Sequence, residues 1–119
     1  MKKIIIIVLV FSLLNVQANN FSIQDSITKN KHILIFTKNG LSVDGKKGYV
    51  HKNIANSIKA LGEICEAENI SFDNSEDSSL FNKLTLSKYD AIIFSNSNNE
   101  VFDNDKQKIA FQNFIKKGG

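Results

Sequence analysis

Two uninterrupted apolar runs set the framework of this chain. The first is Ile33-Leu34-Ile35-Phe36 and the second is Ala91-Ile92-Ile93-Phe94, and each is bounded by polar or charged residues. A strand with one face in water alternates apolar and polar positions, whereas a continuous short run is typical of a strand buried on both faces of a parallel sheet. We therefore predict two buried parallel strands, and a shorter, weaker one at Ile70-Ser71-Phe72.

Helical periodicity separates these runs. From His51 onward, apolar residues recur at steps of three and four positions through Ile54, Ile58, Leu61 and Cys65, with polar residues between them. This spacing predicts an amphipathic helix of about four turns. Leu80, Phe81 and Leu84 predict a brief second helix, after an acidic, turn-rich stretch from Asp73 to Ser79.

A third helix is marked at both of its ends. Asn104 followed three residues later by Gln107 forms the pattern of a capping box, which predicts the amino terminus. Lys116 and Lys117 suit the last turn, and Gly118 lies where a left-handed carboxyl-terminal cap is expected. The order is thus strand, helix, strand, helix, strand, helix, which predicts an α/β fold with a parallel sheet and helices on both faces. Because the chain ends where a fourth strand would begin, we expect the amino-terminal half of a larger domain.

The first eighteen residues have the pattern of a secretory signal peptide. Lys2 and Lys3 precede an apolar run from Ile4 to Leu14, and the small residues Val16 and Ala18 occupy the positions that a signal peptidase requires. A membrane span needs about 20 apolar residues, so we predict no stable membrane anchor. We expect cleavage near Ala18, export to the periplasm or the exterior, a flexible lead-in over 19–30 and a folded domain over 31–119.

Composition and charge narrow the classes further. Hydrophobic residues make up 42% of the 119 and charged residues 23%, as in a globular domain. All fifteen basic residues are lysine, and without Lys2 and Lys3 the net charge would be +1. Without arginine, tryptophan or a basic cluster, we predict no nucleic-acid partner. The single Cys65 excludes an internal disulfide and is predicted to be a buried apolar residue, and two isolated histidines predict no metal site.

Three segments together resemble the ThuA-like, or trehalose-utilisation, family. They are the first strand with the later Gly48-Tyr49-Val50-His51-Lys52-Asn53-Ile54, the strand Lys88 to Phe94, and the helix from Gln107 to Gly119. In that family the first strand leads to a Gly-aromatic-Arg-His-x-Ser-Ile stretch, the third strand ends in Asn-Thr-Thr-Gly-Asp-Val, and the third helix ends in Gly-Gly. The resemblance implies a flavodoxin-like, class I glutamine amidotransferase-like three-layer sandwich, and a link to carbohydrate metabolism.

The chain also departs from the family pattern. Val50 replaces the usual Arg, Asn53 replaces the usual Ser, and Ser97-Asn98-Asn99-Glu100 stands where Thr-Thr-Gly-Asp is expected. An insertion around Leu41 to Lys47 lengthens the first loop. Glutaminase chemistry is disfavoured, because this part of the chain lacks the strand-to-helix elbow that would carry the nucleophile.

The candidate site follows from the topology. Ligands of open parallel sheets bind beyond the carboxyl ends of the strands, so the loops at 37–51 and 95–99 are the candidates. His51 is predicted to hydrogen-bond a sugar hydroxyl or to act as the catalytic acid or base, as the resemblance favours. Tyr49 could stack on a sugar ring, and the further substrate-binding candidates are Thr37, Asn96 and Asn99. His32, before the first strand, is predicted to be a surface residue.

Three functions remain open at this level. The first is an exported ThuA-like protein that binds or acts on a carbohydrate, with no cofactor assigned. The second is a non-catalytic or fragmentary interaction module that self-associates through an open sheet edge after Ile93. The third is a flavodoxin-type flavin module, which a colourless purified protein would exclude.

Overall fold

The computed structural model describes residues 30–119. The predicted signal peptide, its cleavage at Ala18 and nearly all of the predicted lead-in lie outside the described residues. The predicted order of elements is confirmed throughout the part of the chain that the structure describes.

A three-stranded parallel sheet forms the centre of the fold. Its strands are β1 (His32–Phe36), β2 (Ser71–Ser75) and β3 (Ala91–Phe94), in the spatial order β2-β1-β3. Ile33 pairs with Phe72 on one side and with Ala91 on the other. Because all the strands run in the same direction, their carboxyl ends meet at one edge of the sheet, which we call the carboxyl edge.

Helices cover both faces of this sheet. They are α1 (Ile54–Ala67), a 3-10 turn (Ser78–Leu80), α2 (Lys83–Leu86) and α3 (Asp105–Lys116). On one face, Ile33 and Ile35 of β1 pack with Cys65 and the apolar side of α1. On the other, Leu34 and Phe36 pack among residues of α2 and α3. The continuous apolar run of β1 is thus explained by burial on both sides, and the α/β three-layer arrangement is confirmed.

Three details of the sequence-based prediction are corrected. The second strand extends to Ser75, since Asp73, Asn74 and Ser75 pair with β1 instead of forming a turn. β3 was predicted to be buried, but it pairs only with β1 among the described strands, and its residues are half-buried, with Phe94 38% exposed. The brief second helix is split into the 3-10 turn and α2. Asn82 caps the amino terminus of α2, where its side chain accepts a hydrogen bond from the backbone N–H of Thr85 at 2.9 Å.

The ends of α3 follow the sequence closely. Asn104 Oδ1 accepts from the backbone N–H of Gln107 at 3.2 Å, as a capping box requires. The return bond is displaced by one residue, since Gln107 Oε1 accepts from the N–H of Asp103 at 2.7 Å. At the other end, Gly118 has φ +93, and the N–H groups of Gly118 and Gly119 donate to the carbonyls of Ile115 and Phe114. This is a Schellman motif.

Candidate functional site

The loops that leave β1 and β3 are joined into one surface at the carboxyl edge. The backbone N–H of Gly40 donates to the carbonyl of Asn98 at 3.0 Å, and that of Glu100 donates to the carbonyl of Leu41 at 3.3 Å. Ser97 Oγ donates to the carbonyl of Phe36 at 3.0 Å. These bonds fix the polar segment after β3 against the long loop after β1.

Tyr49 and His51 lie together on this surface. Their rings meet edge to face, with centroids 5.1 Å apart, and both side chains are exposed. Asn98 Nδ2 donates to the carbonyl of Tyr49 at 2.5 Å, which ties the aromatic pair to the loop after β3. An aromatic face beside amide and imidazole groups offers both an apolar surface and hydrogen-bonding groups to a ligand.

Thr37 occupies a different place from the other candidates. It directly follows β1 and is buried, and its Oγ1 accepts from Asn74 Nδ2 at 3.5 Å. The backbone N–H of Thr37 donates to the carbonyl of Ser75 at 3.0 Å. Thr37 therefore lies beneath the carboxyl edge, where it joins β1 to the end of β2.

Asn96 and Asn99 both adopt left-handed backbone conformations, each with φ +56. Asparagine tolerates this region better than most residues, which accounts for Asn99 at the position where the family pattern has glycine. Asn96 Nδ2 donates to Ser95 Oγ at 3.3 Å, and Asn99 Nδ2 donates to Asn98 Oδ1, also at 3.3 Å. The amides of both residues face polar neighbours on the loop after β3.

Two serines missed by the sequence analysis join α1 to this loop. Ser57, in the first turns of α1, and the buried Ser95 share a hydrogen bond of 2.6 Å between their hydroxyl oxygens. They are 38 residues apart, so no motif in the sequence indicates the pair. The bond holds the amino-terminal end of α1, and with it the segment that carries His51, against the end of β3.

An ammonium group links the loops that follow all three strands. Lys38 Nζ donates to Ser78 Oγ and to Asp103 Oδ1, both at 2.6 Å, and Ser78 Oγ in turn donates to the carbonyl of Val101. The hydrogen bond that Lys38 donates to Asp103 holds the pKa of the Asp103 carboxyl below its ordinary value of 3.8. We call this group of residues the Lys38 clamp.

A cleft of about 1070 Å³ opens beside the clamp, between the two loops. One wall is the inserted segment from Gly40 to Lys47, and the other contains Asn99, Glu100 and Phe102. Of the five site residues predicted from sequence, only Asn99 lines this cleft. Tyr49, His51 and Asn96 lie elsewhere on the carboxyl edge, and Thr37 lies beneath it.

The opposite end of the sheet carries a second polar cluster. The Tyr89 hydroxyl donates to Asp73 Oδ2 at 2.7 Å, and His32 Nε2 lies 3.3 Å from the same oxygen. Burial, and then this hydrogen bond, raise the pKa of Tyr89 to about 12. His32 was predicted to be a surface residue, but it packs against the Tyr89 ring with centroids 4.9 Å apart.

Among residues 30–119, no group of three or more His, Cys, Asp or Glu side chains converges where it could hold a metal ion. No helix within this same range is long and apolar enough to cross a membrane. Cys65 is a free thiol buried against β1, and its predicted role as a packed apolar residue is confirmed.

Comparison with known protein families identifies a relationship that covers most of the chain. The model of the ThuA family, described as trehalose utilisation, matches residues 33–119. The match covers the whole sheet from the second residue of β1, the three helices and the loops of the carboxyl edge. Neither the curated proteins nor the solved structures gave a significant match.

Proposed function

Because the chain belongs to the ThuA family of trehalose utilisation, we propose that it is an exported protein that binds a carbohydrate or a sugar derivative at the carboxyl edge. The family places the chain in sugar utilisation, and the ligand and its location are our proposal. Parallel sheets of this type bind ligands beyond the carboxyl ends of their strands.

The exposed aromatic pair of Tyr49 and His51 is the observation that carries this proposal. The Tyr49 side chain is 69% exposed although it is held at its backbone by Asn98. A fixed, solvent-facing aromatic ring beside amides suits a sugar, whose ring has apolar faces and whose hydroxyl groups both donate and accept hydrogen bonds.

The remaining candidates take roles that fit their positions. We assign His51 to a sugar hydroxyl, and in a reacting complex its imidazole is the group that would exchange a proton. Asn96 and Asn99 supply amides from the loop after β3. Thr37 is buried, so its part in binding is to hold the end of β1 through its hydrogen bonds with β2.

Titration of the purified chain with trehalose and with glucose, followed by NMR, tests the proposal. We expect Tyr49→Ala and His51→Ala each to weaken sugar binding by about tenfold, which corresponds to about 1.4 kcal/mol. His32→Gln is the matched control, since it alters the other histidine at the far end of the sheet. If neither sugar binds to the purified chain, the proposal is overturned. It is also overturned if the His51→Ala variant binds sugar as tightly as the unsubstituted chain does.

Export is tested separately from binding. The proposal requires that the native protein isolated from outside the cytoplasm begins at Asn19, after removal of the segment ending at Ala18. Amino-terminal sequencing that finds Met1 on the native protein contradicts it.

A non-catalytic interaction module is the second function that an observation favours. Among the described residues, the outer side of β3 pairs with no other strand, and an open strand edge offers backbone groups to another chain. We propose a second copy of this chain as the partner. Sedimentation velocity over a hundredfold range of concentration is expected to detect dimers, and a monomer at every concentration would exclude this function.

A further inference from the structure

A groove lies at the end of the sheet where the strands begin, away from the carboxyl edge. Its volume of about 910 Å³ is within the range of about 300 to 1000 Å³ that small-molecule pockets have. Lys31 and Asp90, which precede β1 and β3, line it together with residues of α2 and the end of α3. We call it the amino-end groove. The five site residues predicted from sequence all lie outside it, so the proposed sugar site does not account for it.

The lining of the amino-end groove is largely apolar. Leu86 and Tyr89 are buried, and Ala110 and Phe114 of α3 are half-buried against the same core. Leu84 also lines the groove and is 78% exposed, although it is a large apolar residue. Removal of apolar surface from water is favourable, so this lining favours a ligand with an apolar chain or ring.

The rim of the groove has a surplus of positive charge. Lys31 Nζ lies 3.9 Å from Asp90 Oδ1, so the charge of this lysine is compensated. Lys83 and Lys117 also line the groove, and neither has an ion-pair partner among residues 30–119. In the 119-residue chain the terminal carboxylate of Gly119 lies here too, and three lysines against two carboxylates leave a net charge of +1. This surplus favours an anion.

Helix capping does not require either of the two unpaired lysines. The carbonyls of Phe114 and Ile115 at the end of α3 already accept from the backbone N–H groups of the two glycines that follow, so they do not need the Lys117 ammonium group. Lys83 is the first residue of α2, where the helix dipole gives a positive charge no stabilisation. Both ammonium groups are therefore available to a ligand.

We propose that the amino-end groove is a second binding site, separate from the carboxyl edge, for a small amphiphilic carboxylate. Its apolar chain lies along Leu84 and Phe114, and its carboxylate group lies against Lys83 and Lys117. The combination disfavours other ligands, because a sugar would find few hydrogen-bonding groups on an apolar lining, and inorganic phosphate would leave that lining in water. The inference does not depend on the proposed sugar function, since the two sites share no residue.

NMR titrations of the purified chain with three eight-carbon probes test this inference. Octanoate has the required negative charge, octylammonium reverses the charge, and octanol keeps the apolar chain without a charge. We expect octanoate to shift the amide resonances of 83–90 and 110–119. It should bind about threefold more tightly than octanol, the effect of one exposed charge pair, and octylammonium should bind most weakly.

Substitutions in the groove separate the apolar contact from the charge. Leu84→Ser is expected to weaken the binding of octanoate and octanol alike, by about fivefold. Lys83→Gln and Lys117→Gln should each weaken octanoate binding by about threefold and leave octanol binding unchanged. Ile109→Ser and Lys106→Gln are the matched controls, because they alter an exposed apolar residue and an exposed lysine outside the groove. Neither control should change the binding of any probe.

Three results would overturn the inference. If octylammonium binds as tightly as octanoate, or if the lysine variants bind octanoate as the unsubstituted chain does, the lysines do not select a negative charge. If octanoate leaves the resonances of 83–90 and 110–119 unshifted, no carboxylate binds in the groove. If these resonances shift when the protein alone is diluted, a second copy of the chain occupies the groove instead. The test of sugar binding stands apart from all three, because Tyr49 and His51 lie at the carboxyl edge.

Discussion

The Tyr89 phenol is the single group whose surroundings alter its protonation most clearly among the described residues. It is buried, and it donates to Asp73 Oδ2, so loss of its proton would place two negative charges side by side in a poorly solvated position. Its pKa is raised from 10.0 to about 12 for these reasons. A raised pKa in the folded state means that the neutral phenol stabilises the fold below pH 10 and that this contribution is lost as the pH rises toward 12.

Tyr89→Phe is therefore expected to change the dependence of stability on pH. At pH 7 the variant should lose about 1 kcal/mol of unfolding free energy, because the hydrogen bond to Asp73 is removed. Between pH 10 and pH 12 the unsubstituted chain should lose on the order of 2 kcal/mol more than the variant, because only it contains the phenol at position 89. Urea unfolding at four pH values measures both effects. Tyr49→Phe is the control, because it removes an exposed phenol and its stability should depend on pH as that of the unsubstituted chain does. If the stability of Tyr89→Phe also falls with pH in parallel with that of the unsubstituted chain, the explanation is refuted.

At the scale of elements, the contact between the loops after β1 and β3 depends on a glycine. A Cβ atom added at Gly40 would lie 1.8 Å from the carbonyl oxygen of Glu100, a backbone atom that cannot move without breaking the bridge to Leu41. Gly45 differs, since a Cβ there would meet nothing within 4 Å and only its φ of +74 disfavours other residues. Space is limiting at Gly40, and conformation is limiting at Gly45.

The two glycines give a matched pair of variants. Gly40→Ala is expected to lower the free energy of unfolding by about 3 kcal/mol, because the two loops must separate to admit the methyl group. Gly45→Ala should cost about 1 kcal/mol, the cost of placing an L-residue in the left-handed region. Chemical denaturation of both variants measures the difference. A larger loss for Gly45→Ala than for Gly40→Ala would mean that the close approach of Gly40 to Glu100 does not hold the loops together.

The sequence predicted those elements that apolar residues define. β1 was located correctly because burial on both faces leaves a continuous apolar run, and α1 because one face packs on the sheet. The end of β2 was missed because Asp73, Asn74 and Ser75 are polar and are held in the strand by pairing with β1, which leaves no trace in the hydropathy pattern. The carboxyl edge could be predicted from the alternation of strands and helices, because parallel strands bring their ends together.

The side-chain contacts within that edge could not be predicted in the same way. Lys38 is 40 residues from Ser78 and 65 from Asp103, and Ser57 is 38 from Ser95. No spacing rule connects residues so far apart, because their contact depends on the order β2-β1-β3 and on the register of the strands. The segment from Leu41 to Lys47 was recognised as an insertion, but its hairpin fold and the cleft that it lines depend on contacts with the loop after β3.

At the scale of the whole molecule, the Lys38 clamp connects the ends of all three strands. Lys38 follows β1, Ser78 lies in the 3-10 turn after β2, and Asp103 lies after β3. The sheet holds these strands together at their centres, but beyond it the loops need their own connections. We infer that the clamp keeps the cleft in one shape, because Lys38 and Asp103 both line the cleft and come from different loops.

Lys38→Met tests whether this single ammonium group orders the carboxyl edge. The variant keeps an unbranched side chain that is only one atom shorter, and it removes the charge and the hydrogen bonds. Amide hydrogen exchange should become faster at 78–80 and 95–103, and the pKa of Asp103 should rise toward 3.8 as it loses its hydrogen bond from Lys38. Because the pKa of Asp103 is lower in the folded chain than in the unfolded one, the ionised carboxylate stabilises the fold at pH values above 3.8. This stabilisation is lost as the pH falls through the lowered pKa. The stability difference between the two proteins, about 1 kcal/mol at pH 7, should therefore narrow below pH 3.8.

Lys46→Met is the matched control for this experiment. Lys46 Nζ lies 2.8 Å from Asp44 Oδ2, and its hydrogen bond lowers the pKa of Asp44, as the Lys38 bond does for Asp103. Both residues of this pair are exposed and lie within the inserted segment from Leu41 to Lys47. We expect the pKa of Asp44 to rise in this variant while exchange at 78–80 and 95–103 stays unchanged, because the pair does not bridge different strands. Equal acceleration of exchange in both variants, or none in Lys38→Met, would show that other hydrogen bonds hold these loops in place. The clamp would then be a local ion pair with no influence on the cleft.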